Sequence, residues 1–139
     1  MRTMAIDYGD QRIGLAVSDL LGMLAGEAWT MQEWDMERAA KRIAEEAKAR
    51  EVGTLVLGLP KNMDGSEGES AQNVRAFAEI LRKTSGLPLT LQDERGTTVT
   101  AHNYLNRTNT RGQKRKAVVD SVAAVIILED YLRYRRNGV

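Results

Sequence analysis

The chain contains no cysteine. That excludes disulfides, thiolate metal sites and a cysteine nucleophile. Aromatic residues are scarce, with four Tyr, two Trp and one Phe, so little ring surface is available for stacking. No apolar run approaches the ~18 residues of a membrane span. The opening residues, Met1-Arg2-Thr3-Met4-Ala5-Ile6-Asp7, lack the apolar core of a signal peptide, so a cytoplasmic protein without a membrane partner is expected. Neither sign of charge dominates: 20 basic against 19 acidic residues gives +1.

What is present is ordinary globular usage, 42% hydrophobic and 28% charged. A length of 139 residues fits one domain, 1–139. Such a chain buries roughly 68% of its unfolded surface and needs no staple. The charges are unevenly placed. Arg95 to Val119 holds no Asp or Glu but carries Arg95, Arg107, Arg111, Lys114, Arg115 and Lys116. The acids concentrate at Glu33 to Glu51 and Asp64 to Glu79. A locally basic segment on a nearly neutral chain points to a specific polyanion-facing surface.

The hydrophobic pattern predicts strands at 3–9 and 12–18, the second strictly alternating and joined to the first by a tight turn near Gly9-Asp10. A weaker strand is expected at 27–32. Asp35 reads as an N-cap of a helix to about Arg50, with Glu37–Lys41 and Glu46–Arg50 as i,i+4 pairs. Thr54 to Leu59 is a continuous apolar run, the mark of a strand buried on both faces. Pro60 ends it, and Ser66 with Glu69 reads as a capping box before the stripe Ala71, Val74, Phe77, Ala78, Leu81. A fifth strand starts at Leu89 and ends at Asp93-Glu94-Arg95, followed by a helix from Thr97 or Thr98 to about Arg107. Thr108 to Lys116 reads as an exposed loop, and 117–134 as a final helix. The order predicts an α/β fold with a mixed five-stranded sheet flanked by helices.

Three acidic positions break their local pattern. Asp7 ends one apolar strand, Asp93-Glu94 ends another, and Asp120 interrupts a run that is otherwise core. Carboxylates are seldom buried unless paired or metal-bound. In open α/β sheets, sites form at the carboxyl ends of strands. Three converging carboxylates repel, and a hard divalent cation, Mg²⁺ or Mn²⁺, resolves that repulsion. Two such ions about 4 Å apart activate a water and stabilise a leaving phosphodiester oxygen. Blander readings stand beside this one. Asp7 with Gly9 also suits a plain hairpin turn, Glu94 also suits an ion pair with Arg95, and Asp120 also suits a charge in the first turn of its helix. Gly58 to Ser66 joins a strand end to a helix N-terminus, which fits either a phosphate cradle or an ordinary βα loop. Lys114-Arg115-Lys116 is either a solvated loop or a set of phosphate contacts.

Taken together, four blocks resemble a known family: Ala5 to Gly9 with Arg12 to Ala16; Gly58-Leu59-Pro60 with Asp64-Gly65 and Gly68; Asp93-Glu94-Arg95 with Thr97-Thr98; and Lys114 to Lys116 with Val119 to Ala124 and Ile127-Leu128. In order and spacing they resemble the YqgF/RuvX family, identified as Holliday-junction resolvases and as nucleases maturing the 5′ end of the 16S ribosomal RNA precursor. The resemblance covers essentially the whole chain. It implies a ribonuclease H-like fold, with Asp7, Glu94 and Asp120 as metal-binding catalytic carboxylates. It also implies that Arg95 and Lys114, Arg115 and Lys116 face the nucleic-acid backbone. Arg12, Lys61 and Arg111 complete the expected basic contacts. Asp93 matches the motif as well, but strand alternation turns it to the sheet face opposite Glu94. Gly96 stands where the family usually has a larger residue, and Thr100-Ala101-His102-Asn103 replaces a more acidic stretch. His102 reads either as a proton-transfer aid or as an exposed helix residue.

The activity expected is Mg²⁺- or Mn²⁺-dependent endonucleolytic hydrolysis of branched DNA or structured RNA, leaving 5′-phosphate products. A metal-free nucleic-acid-binding module is the alternative. A nucleotide-binding domain of the actin and sugar-kinase type is a third, but it needs two such domains around ATP. Tyr8 and Tyr104 are the rings expected nearest the site. A homodimer is admitted, and without cysteine it is not disulfide-linked.

Overall fold

The structure, a computed structural model, describes residues 1–9, 11–21, 25–94 and 113–136, with backbone alone for 113–120 and 136. Its elements run β1 (Arg2–Tyr8), β2 (Arg12–Ser18), β3 (Ala25–Gln32), α1 (Met36–Ala49), β4 (Val52–Leu59), α2 (Glu69–Ser85), β5 (Leu89–Asp93) and α3 (Gln113–Arg136). The predicted helix from Thr97 or Thr98 to Arg107 lies outside the described residues.

The five strands form one sheet in the order β3-β2-β1-β4-β5. β1, β2 and β3 pair antiparallel, while β4 pairs parallel with β1 on one side and β5 on the other. Alternation gives the sheet two unlike faces. Met4, Ile6, Leu15, Leu55 and Leu57 build one core with Ala40 and Ile43 of α1 and Val74, Phe77 and Leu81 of α2. The other face is made of small residues. Ala5, Ala16 and Val56 pack against Ala124, Ile127, Leu128 and Leu132 of α3. β4 is buried on both sides, as its unbroken apolar run requires.

Local signals in the sequence account for most boundaries. Asp35 is the N-cap of α1, its carboxylate accepting from Arg38 N–H at 2.9 Å. The Glu46–Arg50 pair forms, and the Arg50 guanidinium also pairs with Glu27 and lies 4.1 Å over the Trp29 ring, tying α1 to the edge strand β3. Gly86 ends α2 at φ 69°, a left-handed conformation that glycine adopts without steric cost.

Two expectations fail for identifiable reasons. Ser66 and Glu69 do not form a capping box: α2 starts at Glu69 with Gly68 as N-cap and no side-chain cap bond. The Ser66 oxygen instead accepts from Asn62 Nδ2 at 2.9 Å while its hydroxyl donates to Asp64 Oδ1 at 2.6 Å, so the side chain is committed to the loop before the helix. The last helix starts at Gln113, not at 117, so Lys114, Arg115 and Lys116 lie in helix rather than loop. Gln, Lys and Arg propagate helix nearly as well as Leu. The apolar pattern marks only the stretch that packs on the sheet.

Glu33 braces the corner between β3 and α1. Its carboxylate accepts from the N–H groups of Trp34 (3.1 Å) and Asp35 (3.3 Å) and from Arg38 and Arg42. The Asp35 N–H, then the two guanidinium groups, hold its carboxyl below the ordinary glutamate value of 4.5. A lowered folded value stabilises the protein above the ordinary value, and that contribution is lost as pH falls through the folded value. Thermal melts are therefore expected to drop in acid below the ordinary glutamate range. In Glu33→Gln the neutral-pH melt is expected to be lower and the acid drop shallower.

Gly58 marks how tightly α3 sits. A methyl at this position would lie 2.5 Å from Ile127 Cδ1, 3.2 Å from its Cγ1 and 3.4 Å from Glu94 Cγ. Ile127 is 1% exposed and has no room to swing aside. Gly58→Ala is expected to destabilise the fold by about 1–3 kcal/mol in urea unfolding, the usual penalty of overpacking.

Candidate active site

Parallel pairing of β1, β4 and β5 brings their carboxyl ends to one edge of the sheet. The β1–β4 ladder ends at Ile6–Leu57, so Asp7 and Gly58 follow side by side. Gly58 pairs with Gln92 on the far side. Glu94 extends β5 by donating its N–H to Leu59 O at 3.0 Å. Asp7 therefore alternates with Ala5 on the face that α3 covers, and Glu94 Cγ lies on that same face against Gly58. Glu94 thus lies against Gly58, while Asp7 ends the strand that flanks β4 on the other side. Both are half-buried. On its other side Asp7 pairs with Gly14, again a residue with no side chain to crowd it.

Asp120 is carried by the helix that closes this face. It is the eighth residue of α3, and the first turn of that helix contains no acid. The helix-dipole explanation for an acid here therefore fails, since that effect fades within the first turn. Asp120 precedes Ala123 and Ala124 by three and four residues, the spacing of one helical stripe, and both of those alanines are buried. Its side chain lies outside the described residues.

Among the described residues no three His, Cys, Asp or Glu side chains form a metal-holding group. Of the three carboxylates expected to hold a metal, Asp7 and Glu94 are described with their side chains and Asp120 with its backbone alone.

The basic residues fall into two sets. Arg12 opens β2 and alternates with Gly14 on the face that bears Asp7. Lys61 follows Pro60 at the same sheet edge, close enough to Glu67 to help hold that carboxyl below its ordinary value after Arg75, whose guanidinium is the main cause. Lys114, Arg115 and Lys116 have helical backbone, while Arg95 and Arg111, with His102 and Tyr104, lie outside the described residues. The loop between β4 and α2 is knitted by its own bonds, Asn62 N–H to Ser66 O at 2.8 Å and Gly65 N–H to Asn62 O at 2.9 Å.

Two ring and acid expectations resolve differently. Asp93 pairs with Leu59 and so shares the face opposite Glu94, as alternation requires. Tyr8 is not a ring beside the carboxylates. It stacks on Phe77 with centroids 4.0 Å apart and planes at 11°, on the far side of the sheet from Asp7. Period two in β1 already demanded that separation. The sequence reading also passed over Gln92, whose side chain reaches Glu94. The available signal was its spacing, two residues before Glu94 on a strand.

The chain matches the family model described as "RuvX: Holliday junction resolvase" over residues 1–134. A curated relative from Thermoanaerobacter pseudethanolicus, named "Putative pre-16S rRNA nuclease", is 41% identical over 138 residues, covering 99% of each chain. The fold is shared with solved resolvases of remote sequence. Thermus thermophilus RuvC in complex with a Holliday junction substrate aligns at TM-score 0.58 and 14% identity, over 98% of this chain and 96% of that one. Fowlpox virus resolvase with Holliday junction DNA aligns at TM-score 0.62 and 8% identity, over 97% and 99%. The mixed sheet with its covering helices is thus the ribonuclease H-like fold of these resolvases. With a family match spanning nearly its whole length and carboxylates on the edge where such sheets build their sites, the chain belongs to the RuvX family of nucleases.

Proposed function

We propose that this chain is a Mg²⁺- or Mn²⁺-dependent endonuclease that hydrolyses phosphodiester bonds in structured nucleic acid and leaves 5′-phosphate ends. A ribosomal RNA precursor and a four-way DNA junction are the candidate substrates. What supports the reading is that Asp7 and Glu94 end the two strands flanking β4, on the sheet face covered by the helix that bears Asp120.

The donor set suits the metal. Asp7, Glu94 and Asp120 offer only carboxylate oxygens, with no sulfur and no imidazole among them, which favours small hard cations over zinc or copper. These three residues would hold the ions. When bound, such ions lower the pKa of water and neutralise charge developing on the phosphate. The chain's own part is to place the donors. β1 and β5 fix Asp7 and Glu94 as rigid strand ends. Gly14, which pairs with Asp7, adds no side chain beside that carboxylate. Arg12 and Lys61 at the same edge, with the basic start of α3, supply cationic contacts to flanking phosphates.

Asp7→Asn removes the charge and keeps the shape. Cleavage of a junction, its linear duplex arms and a structured precursor RNA, each with Mg²⁺ or Mn²⁺, separates the candidate substrates. Wild type is expected to cut at least one of the structured substrates and to stop on chelation. Asp7→Asn is expected to cut it at least about 100-fold more slowly, since even outer-shell partners of a metal are worth 10–100-fold. Without metal the variant is expected to melt no lower than wild type, because repulsion among the carboxylates is relieved. An Asp7→Asn protein that cuts as fast as wild type overturns the assignment. Binding that survives chelation, with no cleavage in any divalent ion, would establish a nucleic-acid-binding module instead.

A further inference from the structure

Gln92 is half-buried on β5 and belongs to neither hydrophobic core. Its side-chain Nε2 donates to Glu94 Oε1 and to the carbonyl oxygen of Ile127 in α3, the latter at 3.1 Å. Both partners are acceptors only. The amide therefore has one workable orientation, with its two N–H groups divided between them. Packing does not call for an amide here, because Gly58 and Ile127 beside it would accept an apolar side chain as readily. What the amide adds is a rigid link between a strand-end carboxylate and the helix that carries Asp120, seven residues before Ile127.

We infer that Gln92 is a positioning residue of the site: it holds the Glu94 carboxylate in one orientation and sets the height of α3 against β5, so that Glu94 and Asp120 address the same ions. The inference rests on the nuclease reading of Asp7, Glu94 and Asp120. A glutamate at a strand end has three rotatable bonds. Binding a cation requires those bonds to be ordered. An amide that orders it beforehand removes that requirement, and outer-shell donors of this kind are typically worth 10–100-fold in metal affinity or activity.

Gln92→Met keeps length and volume and removes both donors. Mn²⁺ binding to the full chain, followed by electron paramagnetic resonance without nucleic acid, is expected to weaken about 10- to 100-fold. With nucleic acid, kcat is expected to fall while KM stays near the wild-type value, because Gln92 contacts Glu94 and α3 and not the substrate. Gln92→Asn, which keeps a polar amide but is one methylene short of both partners, is expected to show the same loss and guards against a variant that fails to fold. If both variants bind Mn²⁺ as wild type does, the inference is overturned. That holds whether their melting temperatures fall, which would make Gln92 only a tether for α3, or stay unchanged. Failure of the nuclease reading has a different signature: wild type itself binds no Mn²⁺ and Asp7→Asn changes nothing.

Discussion

Close approach of α3 to the sheet depends on small side chains, and the site depends on that approach. Ala5, Ala16, Val56 and Gly58 leave a shallow face into which Ile127, Leu128 and Leu132 insert. The opposite face carries Met4, Ile6, Leu15, Leu55 and Leu57, which hold α1 and α2 further out. Because α3 packs closely, the backbone at Ile127 reaches Gln92 and its side chain fills the space above Gly58. A bulkier face would lift the helix and with it the backbone that carries Asp120.

The sheet order does the complementary work. β1, β4 and β5 run parallel, so their carboxyl ends share one edge, and the strand between the two acidic ends is the one that offers a glycine. Asp7 and Glu94 stand there half-buried, and Gln92 donates to Glu94. The surrounding frame is stiff. Tyr8 stacks on Phe77 directly behind Asp7, and Glu33 N–H bonds Gln11 O at 3.0 Å to hold β3 against the hairpin turn.

That turn is itself tight. A methyl on Gly9 would lie 2.7 Å from the Arg12 carbonyl oxygen, so the chain reverses there only with a residue that lacks one. The reversal is short enough to put Arg12 on the face that bears Asp7, two residues before the glycine that pairs with it. Arg12 and Asp7 thus share one hairpin and one face of the sheet.

Strand periodicity, apolar runs and the Asp35 cap are local properties, and the sequence alone determined them: five strands, two amphipathic helices and the odd acids at positions 7, 94 and 120 were legible before any coordinates. Alternation even assigned Asp93 and Glu94 to opposite faces, and applied to Tyr8 it would have removed that ring from the site. Other features turn on competition or on distance and were not legible. Ser66 is bonded within the loop, to Asn62 and Asp64, and α2 starts at Glu69 without a side-chain cap. Polar residues before Ala117 carry no periodic signal, so the first turns of α3 stayed hidden. That Gly58 parts Asp7 from Glu94, and that Gln92 links Glu94 to Ile127, are facts about residues far apart in the chain. Only the parallel crossovers and the packing of α3 bring them together, because pairing register and helix height are set by the whole core at once.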